Sequence, residues 1–171
     1  FPAPTPLREG NIVTIDMVVN FKGWLADSAW TYPVGQISEQ AEKLLKVTKE
    51  CLYIGIEKAV IGNRLGDISH AIQVHAESQG FSVVREFTGH GIGQNMHEEP
   101  QVLHYGPRNK GPRLSEGMVF TIEPMINLGT YELTVDQNGW TARTADGSLS
   151  AQYEHTLAIT KNGPLVLTEQ D

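Results

Sequence analysis

The stretch from Gly89 to Pro100 (GHGIGQNMHEEP) carries two histidines, His90 and His97, among small residues. Its three glycines permit tight turns and let other groups approach the backbone closely. A phosphate-binding loop is a weaker interpretation. The stretch has no following Lys-Ser/Thr and no acidic residue about 20 positions on in a strand–helix–strand unit. The question is therefore which carboxylates elsewhere in the chain converge on these histidines.

Four carboxylates lie on or beside predicted strands. Glu123 follows the apolar run MVFTI and Asp16 interrupts the apolar run NIVTIDMVVNF, where a carboxylate is costly unless it is paired or metal-bound. If the hairpin turns at Lys22-Gly23, Asp16 and Asp27 lie diagonally on one face, roughly 7–8 Å apart, which suits a cation between them. The alternative is that Asp27 caps a turn and Asp16 is a surface residue. The fourth, Glu154, lies in the strand LSAQYEHTLAIT.

These carboxylates and one imidazole form the candidate metal-ligand set: Asp16, Asp27, His90, Glu123 and Glu154. Four oxygen donors and one nitrogen suit a hard or borderline divalent ion such as manganese, iron, cobalt or zinc, and argue against a thiolate-type structural zinc site. The set exceeds the needs of one ion. Two of the carboxylates can bridge a pair of ions ~3.5–4 Å apart, which is the usual arrangement of two-metal hydrolases.

The composition predicts one globular domain of 171 residues, 40% hydrophobic and 19% charged. A net charge of -7 argues against nucleic acid or an anionic membrane as a partner. The single cysteine, Cys51, excludes an intrachain disulfide, fits a reducing compartment and is expected in the core. No apolar run approaches the ~18 residues that span a bilayer. These features predict a cytoplasmic protein.

Hydrophobic periodicity predicts two strands, two helices and then a run of strands. This order is typical of an α+β fold with a mostly antiparallel sheet. Ser38 is expected to cap the first helix and Asp67 the second. The predicted strands are 11–21, 24–34, 81–87, 118–122, 149–160 and 165–168, and the predicted helices are 38–60 and 67–79.

As a set, the motifs around these residues resemble those of the type I methionine aminopeptidases, metallopeptidases with the pita-bread fold. The resemblance covers the chain from about Leu7 to its last residue. Prolidase and aminopeptidase P share the five-ligand pattern but typically carry Arg-x-Glu-Asp at the last ligand, where this chain has Gln-Tyr-Glu-His. The matching segments are TIDM (14–17), LADS (25–28), GHGIG (89–93), HEEPQVLHY (97–105), FTIEPM (120–125) and SAQYEHT (150–156).

The resemblance implies removal of the N-terminal methionine from nascent proteins whose second residue is small. Asp27 and Glu154 would bridge two metal ions, His90 and Glu123 would complete the shell of the first ion, and Asp16 that of the second. A water bridging both ions would be the nucleophile.

The resemblance also implies how the substrate is handled. Glu123 would pass the proton of the water to the leaving amine, and His97 would hydrogen-bond the scissile amide and stabilise the tetrahedral intermediate. Met96 and Trp140 would line the pocket for the methionine side chain, although simple hairpin packing is an alternative for Trp140. Two further histidines, His104 and His155, are expected to be structural.

Members of this family are longer at the N-terminus, where they carry a further histidine that takes part in the chemistry. The chain is therefore expected to be a truncated copy. Residues 1–36 would be a remnant hairpin of the N-terminal pseudo-symmetric half and residues 37–171 the C-terminal half of one catalytic domain. Residues 1–6 should form an extended, proline-rich lead-in. One apolar sheet face would then be uncovered and would invite association. The alternatives are an impaired metal- or peptide-binding fragment and a prolidase-like enzyme.

Overall fold

The computed structural model describes residues 5–169, so most of the predicted proline-rich lead-in lies outside the described residues. Two helices follow a first hairpin, and shorter strands make up the rest. The elements are β1 (Ile12–Phe21), β2 (Trp24–Pro33), α1 (Glu39–Lys58), α2 (Leu65–Ser78), β3 (Ser82–Val83), β4 (Gly89–Gly91), β5 (Glu98–Val102), β6 (Val119–Ile122), β7 (Met125–Asn127), β8 (Leu133–Val135), β9 (Ala142–Thr144), β10 (Ser150–Gln152), β11 (His155–Thr160) and β12 (Gly163–Val166).

The strands form a five-stranded sheet in the order β12-β11-β6-β4-β5, a three-stranded sheet in the order β10-β7-β3, and the hairpins β1-β2 and β8-β9. All pairs between these strands are antiparallel, which confirms the predicted α+β class. The helices cover the sheets and form one hydrophobic core with them. Its fully buried side chains include Leu44, Leu52, Ile68, Ile72, Phe120, Ile122, Ile126 and Leu157.

The first hairpin has the predicted register. Lys22 and Gly23 form the turn with φ values of 53° and 88°, and such a turn matches the twist of the flanking strands. Asp16 pairs with Ala29 and Val18 pairs with Asp27, so the two aspartates lie diagonally as expected. The burial argument for Asp16 is wrong, however. Asp16 is exposed, because the strand around it lies at the surface.

One face of β1 is apolar and exposed. Ile15, Met17, Val19 and Phe21 alternate along it and are 50 to 69% exposed. The expected uncovered sheet face is therefore present in the described part of the chain. An apolar patch of this kind is typical of a surface that another segment or molecule covers.

The two helices begin differently. Ser38 accepts a hydrogen bond from the amide of Ala41 at 3.2 Å, which confirms it as the cap of α1. The prediction for α2 is wrong, because this helix begins at Leu65. Asp67 lies inside its first turn, where its carboxylate accepts the amide N–H of Arg64 at 2.8 Å. Neither helix in the described part of the chain is both long and apolar enough to span a bilayer.

Two predicted strands are shorter than expected. Only Ser82–Val83 of the segment 81–87 is a strand, and the segment 149–160 is interrupted at Tyr153-Glu154. β10 pairs with β7 in one sheet, whereas β11 pairs with β6 in the other. At the interruption, the amide of Glu154 donates to the carbonyl of Ala29 in β2 at 2.8 Å. The chain therefore changes sheets where Glu154 meets the first hairpin.

Candidate metal centre

All five predicted metal ligands line one cavity of about 420 Å³. They come from separate elements, so the cavity exists only in the folded chain. The ligands are Asp16 on β1, Asp27 on β2, His90 on β4, Glu123 directly after β6, and Glu154 between β10 and β11.

Four of these side chains lie close enough to share ions. Ligand atoms of Asp27, His90 and Glu154 all lie within 4.8 Å of one another. The Nε2 of His90 is 3.9 Å from Asp27 Oδ2 and 3.5 Å from Glu123 Oε1. Asp16 lies at the rim of the cavity beside Asp27. Partial desolvation there and the nearby Asp27 carboxylate raise its pKa to about 6.

The donor set fits a bound cation. Asp27 Oδ1 and Glu154 Oε1 are buried and have no hydrogen-bond partner among residues 5–169. In the same range no lysine or arginine nitrogen lies within 4.0 Å of any of the four carboxylates. Burying a carboxylate without a partner destabilises the fold. A divalent ion would supply the positive charge that these carboxylates lack and would bind the lone pairs of their oxygens.

The pKa values of the four carboxyls and of His90 are also those expected of a cluster that lacks a neighbouring positive charge. Burial, together with the neighbouring carboxylates, raises the pKa of Glu154 to about 10 and that of Glu123 to about 8. Burial also raises the pKa of Asp27 and lowers that of His90. Without a cation, the cluster therefore retains protons at neutral pH, and these protons must leave when an ion binds.

The backbone around His90 fixes the tautomer of its imidazole. Its Nδ1 lies 3.0 Å from the carbonyl of Gly91, which only accepts, so Nδ1 donates and Nε2 keeps a lone pair toward the carboxylates. The flanking glycines let β4 approach its neighbours. A Cβ on Gly89 would lie 2.5 Å from the carbonyl of Thr121, and one on Gly91 would collide with the carbonyl of Glu99.

Two supporting groups hold Glu123. The hydroxyl of Thr121 donates to Glu123 Oε1 at 2.7 Å and accepts the amide of His90 at 3.0 Å. The Nε2 of His104 accepts the amide of Glu123 at 3.1 Å. His104 is fully buried, and burial lowers its pKa to about 3, so it stays neutral. It has the structural role expected from the sequence.

The sequence reasoning missed two threonines. Besides Thr121, the hydroxyl of Thr156 accepts the amide of Asp27 at 2.9 Å and donates to its carbonyl at 2.8 Å. Each threonine lies two residues from a glutamate ligand, Thr121 before Glu123 and Thr156 after Glu154. Side chains two residues apart in a strand share a face. A threonine two residues from a buried glutamate could therefore have been predicted to support the site.

We expect Thr121→Val to weaken metal binding about 10- to 100-fold, the usual effect of losing a group that orients a ligand. The variant leaves the His90 amide and one Glu123 oxygen without their partner, which should also lower the free energy of unfolding by about 1–3 kcal/mol. Calorimetric metal titration and denaturant unfolding measure the two effects. Thr134→Val on the exposed strand β8 is the matched control. Equal metal affinities for the two variants would contradict the role given to Thr121.

The residues predicted to contact substrate separate into two groups. His97 and Met96 line the cavity, and the ring of His97 lies 4.4 Å from that of His90 in an edge-to-face arrangement. Trp140 is 74% exposed at the turn of the β8-β9 hairpin and is not among the described residues that line the cavity. Asn138 Oδ1 accepts the backbone amide of Trp140 within that turn. The pocket role of Trp140 remains a prediction.

Comparison with known proteins places the chain in a family. Residues 1–161 match the model of metallopeptidase family M24. The chain belongs to this family. It is 52% identical over 167 residues to methionine aminopeptidase 1 of Bacillus subtilis (strain 168), and 54% identical over 162 residues to the methionine aminopeptidase of Clostridium acetobutylicum. These matches cover 98% and 95% of this chain but 67% and 65% of the relatives. The chain thus spans about two thirds of their length.

Solved structures confirm the pita-bread fold. The methionine aminopeptidase of Rickettsia prowazekii matches with a TM-score of 0.96 and 46% identity over 98% of this chain and 68% of that one. A prolidase from Thermococcus sibiricus matches with a TM-score of 0.79 and 26% identity over 100% of this chain and 41% of that one. The predicted resemblance to methionine aminopeptidases is therefore confirmed, and the family implies use of divalent metal.

Proposed function

We propose that this chain carries the metal centre of a methionine aminopeptidase, which removes the N-terminal methionine from nascent proteins whose second residue is small. The observation that carries the proposal is the cluster of Asp27, His90, Glu123 and Glu154 in a cavity that His97 also lines. Sequence identity of about half to proteins with that name supports the same activity.

The donor set supports two divalent ions, of manganese, iron, cobalt or zinc. As the resemblance implies, Asp27 and Glu154 would be shared by the two ions, and the buried oxygen that each keeps without a partner in the described chain is compatible with that role. His90 and Glu123, whose ligand atoms are 3.5 Å apart, would bind one ion, and Asp16 at the rim would bind the other. When bound, the ions would ionise a water near neutral pH and polarise the substrate carbonyl.

Glu123 is suited to move a proton. Its carboxylate lines the cavity and is held by one hydrogen bond from Thr121, so it would accept a proton and return it at the reacting group. His97 lines the cavity next to His90 and would donate to the scissile amide. Met96 is part of the proposed pocket for the methionine side chain, with Trp140 as its further predicted wall.

We also propose that residues 1–36 and 37–171 belong to the two pseudo-symmetric halves of one catalytic domain. The hydrogen bonds that join the first hairpin to the second half support their place in one domain. Ser28 donates to the carbonyl of Glu154 at 3.1 Å, and Thr156 exchanges two bonds with Asp27. The substrates would be the N-terminal segments of nascent chains, which implies a cytoplasmic setting.

Release of methionine from Met-Ala-Ser during a manganese titration tests the function. We expect His97→Ala to lower kcat/KM by about 10²- to 10³-fold, because a donor to the reacting amide is lost. Metal affinity should be unchanged. His70→Ala on the half-exposed face of α2 is the matched control and should keep wild-type kcat/KM.

The two alternatives give different results in that assay. Metal binding without methionine release would favour the impaired fragment, since the chain spans only about two thirds of its relatives. Cleavage of X-Pro dipeptides in preference to Met-Ala-Ser would favour the prolidase-like enzyme.

A further inference from the structure

The metal cavity continues past His97 into a second groove of about 620 Å³. His90, His97, Phe87 and Thr88 line both spaces, so the groove is an extension of the same cleft rather than a separate site. Two of its lining residues are joined by a hydrogen bond from Gln101 Nε2 to Thr88 Oγ1 at 3.2 Å.

Three carboxylates, those of Glu86, Glu98 and Glu99, line this groove, and its lining includes no lysine or arginine. Within residues 5–169 none of the three lies within 4.0 Å of a basic side chain. Glu98 is held in place, because its Oε1 accepts the amide of Asn95 at 2.8 Å. The groove therefore presents negative charge that the described chain does not neutralise.

The groove also opens to solvent. Its wall is β5, the edge strand of the five-stranded sheet, so an extended chain can pass along it into solvent. The buried carboxylates of Asp27, Glu123 and Glu154 line the part of the cleft that the groove adjoins at His90 and His97. A peptide whose first bond lies at those carboxylates and whose chain runs past His97 enters this groove.

We propose that this groove receives residues three to five of the peptide substrate and favours lysine or arginine over glutamate or aspartate there. Glu86, Glu98 and Glu99 are the residues that set this preference. The inference rests on the proposed function, because it needs a peptide whose N-terminus lies at the metal centre. It adds to that function a preference for the charge of substrate residues that follow the first two.

The expected size of the effect follows from the exposure of the charges. Glu86 and Glu99 are exposed, and exposed pairs change an equilibrium only about 1.5- to 5-fold each. With two substituted positions we expect about tenfold between a basic and an acidic peptide. The ratio of the affinities for the basic and the acidic peptide should fall toward one in 1 M salt, where the Debye length is about 3 Å.

Three labelled peptides test the proposal: Met-Ala-Ser-Lys-Lys, Met-Ala-Ser-Gln-Gln and Met-Ala-Ser-Glu-Glu. Binding to the manganese-loaded chain is measured by fluorescence anisotropy at low and high salt, and turnover is measured with the same peptides. The expected order of affinity is basic, neutral, acidic, with the difference in KM rather than kcat. Equal affinities for the three peptides would overturn the charge preference and leave the proposed function intact. Absence of binding and cleavage for all three would overturn both.

Glu86→Gln with Glu99→Gln removes two of the charges without touching the hydrogen bonds of Glu98. This double variant should lose most of the basic-to-acidic ratio. Glu57→Gln with Glu116→Gln makes the same change in net charge at exposed positions outside the groove and should keep the ratio. Equal loss in both double variants would show an effect of overall charge and would overturn the assignment to the groove.

Discussion

Glu154→Gln should abolish the stabilisation of this chain by divalent metal while leaving the metal-free fold as stable as before or more so. Glu154 is 1% exposed, and its Oε1 has no partner among the described residues. Loss of this proposed metal ligand should weaken metal binding on the order of 100-fold or more, since even supporting groups contribute 10–100-fold. Wild-type protein at a metal concentration of about 100 Kd gains about 2.7 kcal/mol, which the variant should lack.

In the absence of metal, Glu154→Gln should raise the free energy of unfolding instead of lowering it. At pH 7 the buried Glu154 holds a proton that the unfolded chain has released, because its pKa is raised to about 10. Glutamine has nearly the same shape and no such proton to hold, so it should raise the free energy of unfolding by about 1–3 kcal/mol. Thermal unfolding with chelator and with manganese measures both effects. Glu116→Gln, on an exposed turn, is the matched control. A variant that is less stable than wild type in chelator would contradict this account.

The metal-free protein should lose stability as the pH rises, and metal should reverse the trend. Glu123 and Glu154 have pKa values raised from 4.5 to about 8 and about 10. Below pH 4.5 both carboxyls are protonated in the folded and the unfolded chain. Above it the unfolded chain releases protons that the folded chain retains. The contribution of these groups is therefore lost as the pH rises from about 4.5 toward 8 and 10.

Buried histidines act in the opposite direction. Burial lowers the pKa of His104 to about 3, so its contribution is lost as the pH falls below 6.5. His104 contributes equally to the stability of wild type and of Glu154→Gln, so its effect cancels when the two proteins are compared at the same pH. We expect the melting temperature of the variant in chelator to exceed that of wild type by an amount that grows from pH 5 to pH 9, reaching about 10 °C. With manganese, wild-type stability should rise over the same range, because metal displaces the protons. A difference that shrinks with pH would contradict the raised pKa values.

Local patterns account for what could be predicted about the fold. The turn at Lys22-Gly23 determines the register of β1 and β2, because a two-residue connection leaves one pairing. That register is enough to place Asp16 and Asp27 on one face of the hairpin. The cap at Ser38 and the helix α1 depend on neighbours within four residues and were also predicted correctly.

Errors arose where the outcome depends on distant segments. The run 149–160 alternates as one strand, yet it divides at Glu154 because its two parts pair with different strands, β7 and β6. The burial argument for Asp16 failed because its apolar neighbours, Ile15 and Met17, lie on a strand face that no described segment covers. Hydrophobicity indicates that a side chain favours burial and does not show which partner buries it.

The sequence by itself determined the donor types of the candidate centre, the α+β class and the family that its motifs resemble. Only the tertiary structure decided that Thr121 and Thr156 hold the ligands and that Glu86 and Glu99 line the groove beyond His97. The reason is the separation of the partners along the chain. The bonds between Asp27 and Thr156 span 129 residues, and no local pattern encodes a pairing at that distance.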